Sequence, residues 1–272
     1  IPASVRIVKI KEKYKRIQNK FNTVLKEISV CKSLANEIVA CKPDIIHAND
    51  LDALLAAYMA TRRWKCKIVF DTHEVYTDNF GLASAVLKKI FWSFVEAWII
   101  RRVDLVVCVS NAASEYFAAK YNIPKPLVVT NCAKRQVHYG QESVKSPYFE
   151  VLNHGQFYEG RGYDIMVEAA AITENPQINY VLRGFGRMEP ELRSFVDGKG
   201  LNNVTFAPPV KTTELIPAAR SSHVGLAITV PINLNFKLSV SNKIFEYISA
   251  GLPVIMSDIP EHRYLNEKYN FG

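Results

Sequence analysis

Short apolar runs alternate with amphipathic segments of helical length along most of this chain, and no other feature constrains the fold more. Residues 105–109 are apolar with no polar alternate, which is typical of a strand buried on both faces. When strands and helices alternate in this way, the strands pair in parallel and the helices cover the sheet. The sequence therefore predicts an α/β protein with doubly wound parallel sheets.

The alternation occurs twice. In the first half, strands are predicted at residues 45–47, 67–70, 105–109 and 127–129, and helices at 14–41, 51–63, 85–102 and 110–121. In the second half, strands are predicted at residues 150–152, 180–182, 204–206, 224–228 and 254–256, and helices at 164–173, 188–198, 212–220 and 241–250. Residues 134–148 between them are polar and irregular. We interpret the chain as two Rossmann-like domains, 1–133 and 149–272, joined by this linker.

The composition fits two domains and limits the compartments and partners that we expect for the chain. The 272 residues, 49% of them hydrophobic, are enough for two domain cores. The five cysteines form no C-x-x-C pair, which fits a reducing, cytoplasmic compartment and no structural zinc. The net charge of +8 favours anionic partners, among which charge alone does not choose. The sequence shows no nucleic-acid-binding motif and no apolar run of membrane-spanning length.

Residues 241–255 carry the strongest indication of a ligand site. Ser241 or Asn242 is suited to cap a helix that a glycine then ends. Lys243 and Glu246 are three positions apart and share one helix face near the positive end. Such a face suits a ligand with phosphates and hydroxyls, because the lysine and N–H groups would meet the phosphates and the carboxylate a sugar diol. A helix that ends in this way before a buried strand also occurs in α/β proteins without such a ligand.

Two glycine-rich turns follow predicted strands. The turn at residues 154–162 opens a helix, and backbone N–H groups in such a turn can approach a phosphate closely. Arg161 adds a cation that can bind a phosphate bidentately. The turn at Gly184 and Gly186 is a weaker signal, since Gly-x-Gly turns are common. Both turns also fit an ordinary strand-to-helix connection.

Two acidic motifs lie in the first half. Asp71-Thr72-His73-Glu74 ends an apolar strand, where the sites of α/β proteins collect. His73 lacks the i, i+4 histidine of a zinc helix, so a zinc site is not indicated, and the motif also fits a histidine that caps the next turn. Asp50-Leu51-Asp52 spells the Asp-x-Asp of metal-dependent sugar transferases, but acids also suit the start of a helix. We favour the second interpretation of that tripeptide.

Taken in order, these motifs resemble those of the GT-B glycosyltransferases, especially the retaining family four. The resemblance begins near Pro43 and passes through residues 43–47, 71–74, 112–117, 155–162, 184–186, 204–206 and 241–255. It implies a ligand cleft between the two domains and a hexosyltransferase-type enzyme. Such an enzyme moves a sugar from a UDP- or GDP-type nucleotide sugar to an acceptor hydroxyl, with retention and with neither metal nor cofactor. The implied acceptor is a glycan or lipid-linked precursor of cell-surface polysaccharide, in the cytoplasm or at the inner face of the membrane.

The resemblance also implies roles for single residues. His73 would lie in the cleft beside the transferred sugar and Glu246 would hold the nucleotide ribose, so these two are the candidate catalytic residues. The other candidate donor-binding residues are Gly155, Gln156, Arg161, Gly184, Gly186, Asn242 and Lys243. No metal ligand is implied.

The chain departs from the family pattern at several places. Gln156 stands where an arginine is common, and Arg161 where a lysine is common. Members often carry two glutamates eight positions apart, and the first would fall at Leu238, which is not acidic. The usual opening strand with its glycine turn is not visible, nor is the closing helix that crosses back to the first domain. We therefore expect an incomplete first domain, a second domain without its last helices, and uncertain activity for a chain truncated in this way.

Three questions stay open on the sequence alone. A sugar-nucleotide epimerase of the same fold would bind the same diphosphate but need no acceptor. A non-catalytic sugar-nucleotide-binding module is the second alternative, and Leu238 favours it somewhat. Residues 88–102 are basic at both ends with aromatic residues between them, which fits a helix on an anionic membrane surface. They also fit a domain-core helix with solvated ends, which we favour.

Overall fold

The computed structural model describes residues 20–78, 86–133 and 144–272, without the side chains of residues 20–23. The chain divides into two compact units, Ile1–Val129 and Thr130–Gly272. Each unit has its own parallel sheet, as the alternation predicts. The predicted helical residues 14–19 and 85, and residues 134–143 of the predicted linker, lie outside the described residues.

The first unit contains a sheet of four parallel strands in the order β1-β2-β3-β4. The strands are β1 (Ile45–Asn49), β2 (Lys67–Thr72), β3 (Leu105–Cys108) and β4 (Leu127–Val128). The helices are α1 (Lys20–Cys41), α2 (Asp50–Thr61), α3 (Val86–Ile99) and α4 (Asn111–Tyr121), with 3-10 turns at Tyr76–Asp78 and Ile100–Arg102. Ser110 caps α4 as predicted, since its hydroxyl accepts a hydrogen bond from the Ala113 N–H at 3.1 Å.

Parallel pairing brings the polar ends of β1 and β2 to one edge of this sheet. Asn49 pairs in register with Asp71, so the segments that follow both strands leave from neighbouring positions. On the other side of the strand, Phe70 is fully buried beneath the helices. The carboxyl edge therefore carries His47, Asp71 and His73 together, although they are far apart in sequence.

The second unit contains five parallel strands in the order β7-β6-β5-β8-β9. The strands are β5 (Phe149–Gln156), β6 (Ile178–Phe185), β7 (Val204–Ala207), β8 (Val224–Ala227) and β9 (Val254–Met256). The helices are α5 (Tyr163–Ile172), α6 (Glu189–Lys199), α7 (Leu215–Ala219), α8 (Leu234–Leu238), α9 (Asn242–Ser249) and α10 (Pro260–Tyr269), with a 3-10 turn at Thr212–Glu214. The chain starts in the middle of the sheet and winds outward on each side, so β5 and β8 form a topological switch point.

The predicted strand at 150–152 is too short, because β5 continues to Gln156. Polar Asn153 and His154 ended the apolar pattern, yet both are buried and stay in the ladder with β6. The short α8 and the terminal α10 were not predicted. Helix α8 is only five residues long and α10 is mostly polar, so neither shows an apolar period and both depend on packing for their helical state.

Helix α9 packs directly onto β8 at the switch point. A Cβ atom added to Gly225 would fall 2.2 Å from Cγ of the buried Tyr247 ring. Only a glycine at this strand position leaves room for that ring. The close approach fixes the height of α9 over the sheet and places its N-terminus beside the carboxyl end of β5.

Candidate functional site

A cavity of about 320 Å³ opens at the carboxyl edge of the second sheet. Its walls are the end of β5, the loop that follows it, and the start of α9. The lining residues are His154, Gly155, Gln156, Tyr158, Arg161, Leu215, Ser239, Val240, Ser241, Asn242, Lys243 and Glu246. Six of the predicted donor residues thus come together here, since Gly155, Gln156, Arg161, Asn242, Lys243 and Glu246 all line this cavity.

The two remaining predicted residues, Gly184 and Gly186, lie next to this loop rather than among the lining residues. Gly184 pairs with Gly155 in the sheet and has a φ of +150°. A Cβ atom added there would fall 1.8 Å from the Gly155 carbonyl oxygen. These glycines therefore allow the carboxyl ends of β5 and β6, and the segments that follow them, to approach each other closely.

Two cations face the cavity. The ammonium of Lys243 donates a hydrogen bond to Oδ1 of the buried Asn153 at 2.6 Å. It also lies 4.8 Å from the ring centroid of Tyr163. Burial, together with the neighbouring charge of Arg161, lowers the pKa of Lys243 to about 7, although Glu246 acts in the opposite direction. At neutral pH the ammonium and the neutral amine of Lys243 are therefore both populated.

Arg161 is the second cation. Its guanidinium carbon lies 4.9 Å from the Phe236 ring centroid, and its carbonyl accepts a hydrogen bond from Asn153 Nδ2 at 3.4 Å. Burial lowers the pKa of Arg161, but a guanidinium stays charged at neutral pH. Asn153 thus links both cationic residues and holds the loop and the helix at a fixed separation.

The carboxylate of Glu246 is held by a buried histidine. His154 Nε2 lies 2.7 Å from Glu246 Oε2, with the histidine side chain 2% exposed and the glutamate side chain 20% exposed. The His154 backbone N–H donates to the Tyr247 hydroxyl at 3.0 Å, and the two rings pack with centroids 4.6 Å apart. Nδ1 of His154 is buried with no hydrogen-bond partner. Consequently the carboxylate is oriented at the cavity wall before any ligand arrives.

The N-terminus of α9 differs from the prediction. Ser241 occupies the N-cap position, but its side chain makes no capping hydrogen bond. Its backbone N–H instead donates to Nε2 of the buried His262 at 3.4 Å, and the other ring nitrogen of that histidine is 3.1 Å from the Ser257 carbonyl. A neutral histidine with its proton on Nδ1 satisfies both contacts. Residues outside the predicted set therefore position the helix start.

A second cavity of about 430 Å³ shares Asn242 and Glu246 with the first. Its other lining residues are Asn131, Cys132, Ala133, Thr212, Thr213 and Ile216. Most of its accessible lining is apolar, which suits a flat ring more than a phosphate. The carboxylate of Glu246 thus stands between a cationic cavity and a largely apolar one.

The first unit contains a smaller polar cluster. Oδ2 of Asp71 lies 3.0 Å from His47 Nε2 and 3.5 Å from His73 Nε2. The Asp50 carboxylate accepts the His73 backbone N–H at 3.1 Å, and Asp50 itself has a φ of +62°. Asp50 therefore anchors His73 rather than only opening α2. Within residues 20–78, 86–133 and 144–272, no three His, Cys, Asp or Glu side chains are grouped closely enough to hold a metal ion.

Sequence reasoning missed Asn153, His154, Tyr163 and His262. His154 and Asn153 carried a usable signal, because two polar residues directly before a glycine turn end an otherwise apolar strand. His262 carried none, since it lies in a helix that the pattern did not predict. At the position of the missing first glutamate, Leu238 is 9% exposed at the end of α8.

The model of the Glycosyltransferase Family 4 domain matches residues 5–133, and that of Glycosyl transferases group 1 matches residues 149–270. No curated protein sequence resembles the chain closely enough to count as a match. Three crystal structures illustrate the fold, and they come from Rickettsia africae, Anabaena and S. aureus.

A Rickettsia africae glycosyltransferase has 16% identity and a TM-score of 0.68 over 96% of this chain and 68% of its own. Anabaena Alr3699/HepE in complex with UDP has 18% identity and a TM-score of 0.65 over 91% of this chain and 67% of its own. A variant of S. aureus TarM with UDP has 12% identity and a TM-score of 0.61, and this chain covers only 45% of it. The two model matches together cover most of the sequence, and these structures share its fold. The chain therefore belongs to the GT-B glycosyltransferases of the family 4 and group 1 type.

Proposed function

We propose that this chain forms the donor-binding and part of the acceptor-binding framework of a retaining glycosyltransferase that uses a UDP-sugar. The observation that carries the proposal is the shared wall of the two cavities. There Lys243, Arg161 and the start of α9 offer positive charge, while Glu246 offers a preoriented carboxylate. In a nucleotide diphosphate the phosphates match the positive charge, and the neighbouring ribose diol matches the carboxylate.

The proposed placement follows from charge and shape. The diphosphate lies in the smaller cavity against Lys243 and Arg161, because both the cations and the helix N-terminus favour anions. The ribose diol donates to Glu246, and the base lies in the largely apolar second cavity. Among nucleotides we propose UDP, since structures of Anabaena HepE contain UDP and UDP-glucose.

The proposed chemistry rests on stabilising the departing diphosphate. Two cations and oriented N–H groups stabilise the negative charge that develops on the departing diphosphate, which supports a reaction without a metal. His73 is proposed to position the transferred sugar, because Asp71 and Asp50 hold its ring and its backbone. The acceptor is proposed to be a glycan or lipid-linked precursor of a cell-surface polysaccharide at the cytoplasmic face, an assignment that rests on the family.

A non-catalytic nucleotide-sugar-binding module is the second candidate. The buried Leu238 favours it, because this position offers no carboxylate to the donor sugar. Both candidates bind nucleotide, and only the first consumes a UDP-sugar. Product analysis with a UDP-sugar and lipid-linked acceptors separates them, and a rearranged sugar formed without any acceptor would indicate an epimerase.

The first experiment is a thermal-shift titration with UDP, GDP and ADP, with and without EDTA. We expect saturable stabilisation by UDP that EDTA does not change and that Glu246→Ala removes. Glu191→Ala, an exposed acid on α6, is the matched control and should behave like the wild type. Stabilisation by none of the three nucleotides would overturn the proposal for this chain.

A further inference from the structure

Helix α3 of the first unit exposes a continuous apolar stripe. Phe94 is 68% exposed and Trp98 is 42% exposed, although both are large apolar side chains. The stripe consists of Val86, Leu87, Ile90, Phe94 and Trp98, all of them exposed. Their spacing places them on one side of the helix, and the opposite side buries Trp92, Val95, Glu96 and Ile99. The interpretation of this segment as a core helix with solvated ends is therefore incomplete, because only one of its two apolar faces is in the core.

A rim of positive charge borders one end of the stripe. Helices α2 and α3 end near each other, since Tyr58 of α2 and Trp98 of α3 pack edge to face with ring centroids 4.8 Å apart. The exposed basic side chains at the ends of these helices and at the start of β2 form the basic rim: Arg62, Arg63, Lys65, Lys67, Arg101 and Arg102. None of the six forms a salt bridge with an acid in the described part of the chain. The Arg102 guanidinium carbon lies 4.9 Å from the Trp98 ring centroid, directly at the junction of stripe and rim.

We infer that the stripe and the basic rim form a surface that binds the interface of an anionic bilayer. Apolar side chains on one helix face insert at the boundary between headgroups and acyl chains, and adjacent arginines meet the anionic headgroups. Tryptophan prefers this same boundary. No helix among the described residues has both the length and the apolarity needed to cross a bilayer.

A bilayer fits this surface better than a second copy of the chain does. The chain carries a net charge of +8, so two copies repel each other, whereas an anionic membrane attracts the rim. The stripe also reaches toward the candidate acceptor side. Helix α3 (Val86–Ile99) and the 3-10 turn Ile100–Arg102 lead into β3 at its amino edge, so the first turn of α3 points toward the carboxyl edge, where His73 lies. A lipid-linked acceptor would therefore enter from the side that faces the membrane.

The test is co-sedimentation of the 272-residue chain with vesicles in the absence of nucleotide. One set of vesicles contains phosphatidylcholine alone, and the other also contains phosphatidylglycerol. We expect binding to the anionic vesicles that weakens as salt is added. Phe94→Glu should lower the partition coefficient at least tenfold. Replacing Arg101 and Arg102 with glutamine should lower it roughly fivefold for each charge removed. Because no nucleotide is present, failure of the donor-site proposal would leave this result unchanged.

Ile172→Glu is the matched control, since Ile172 is 83% exposed at the end of α5 in the second unit. It should bind vesicles like the wild type, and all variants should keep the wild-type melting temperature. Equal binding by Phe94→Glu and wild type, or no binding of the wild type to anionic vesicles, overturns the inference. Self-association that Phe94→Glu abolishes, without vesicle binding, would assign the stripe to a second copy and overturn it as well.

Discussion

The imidazole of His154 and the carboxylate of Glu246 meet at 2.7 Å between Nε2 and Oε2, one from the end of β5 and the other from α9. The histidine is almost fully buried and the glutamate lines both cavities. A hydrogen bond to a charged group of this kind is worth about 1.5–3 kcal/mol. It therefore fixes a carboxylate that would otherwise rotate freely at the cavity wall.

Replacing His154 with leucine should weaken UDP binding about tenfold or more, because Glu246 loses this bond and its orientation. Isothermal titration calorimetry with UDP and with pyrophosphate is the measurement. Only UDP carries a ribose, so the affinity for pyrophosphate should stay near the wild-type value. An equal loss for both ligands would show that the substitution disturbs the whole site rather than the carboxylate.

Lys243 should take up a proton when a diphosphate binds. Its pKa is about 7, and two phosphate groups nearby would raise that pKa. At about pH 8 the lysine is therefore mostly neutral before binding and charged afterwards. Calorimetry of UDP binding in buffers with different ionisation enthalpies measures this uptake. Lys243→Met should abolish it, and a wild type with no proton uptake would contradict the prediction.

The same lysine makes stability depend on pH in the absence of ligand. Between about pH 7 and pH 10.4 the unfolded chain binds a proton at Lys243 that the folded chain does not. The buried lysine therefore lowers the free energy of unfolding least at the upper end of this range. Its destabilising effect is complete below about pH 7. Lys243→Met should raise the melting temperature of the ligand-free protein at neutral pH while it weakens UDP binding. A lower melting temperature would show that the bond to Asn153 outweighs the cost of burial.

Two glycines offer a matched test of the close approach between the ends of β5 and β6. Gly184→Ala should cost about 3 kcal/mol or more of unfolding free energy, because its Cβ atom would fall 1.8 Å from the Gly155 oxygen. Gly198→Ala lies in α6 with nothing within 4 Å of the added atom, and should gain up to about 1 kcal/mol. Urea unfolding of both variants measures these values. Similar effects for the two substitutions would contradict the close approach of the ends of β5 and β6.

His262 should make the site sensitive to acid. Burial lowers its pKa, so below about pH 6.5 the unfolded chain takes up a proton that the folded chain resists. Stability from this residue is thus complete above about pH 6.5 and is lost as the pH falls toward the lowered pKa. A protonated ring also cannot accept the Ser241 N–H, so UDP affinity should fall over the same range.

The control for His262 is a pair of substitutions. His262→Gln offers an acceptor to Ser241 without titrating, so it should retain much of the UDP affinity and lose the acid sensitivity. His262→Leu offers no acceptor and should lose affinity at every pH. Melting temperature and UDP affinity between about pH 5 and pH 8 are the measurements. Equal behaviour of the two variants would remove the positioning role from His262.

Much of the fold was predictable because it depends on local patterns. The unbroken apolar run at β3 and the glycine stops of the helices indicated parallel strands and crossover helices, and both sheets are confirmed. The errors occurred where buried polar residues mimic a loop, as at Asn153 and His154. They also occurred where packing rather than propensity makes a short segment helical, as in α8 and α10.

By itself the sequence determined the α/β class, the two sheets and the types of residue near the Gly155 turn, because the hydrophobic periodicity and the glycine positions are local properties. Only the tertiary structure decided which of these residues meet. Asn153 reaches Lys243 across 90 positions and His154 reaches Glu246 across 92, because the switch point places β5 beside the start of α9. It also decided which face of α3 stays exposed, since a periodic pattern shows that a helix has two apolar faces but not which one the core covers.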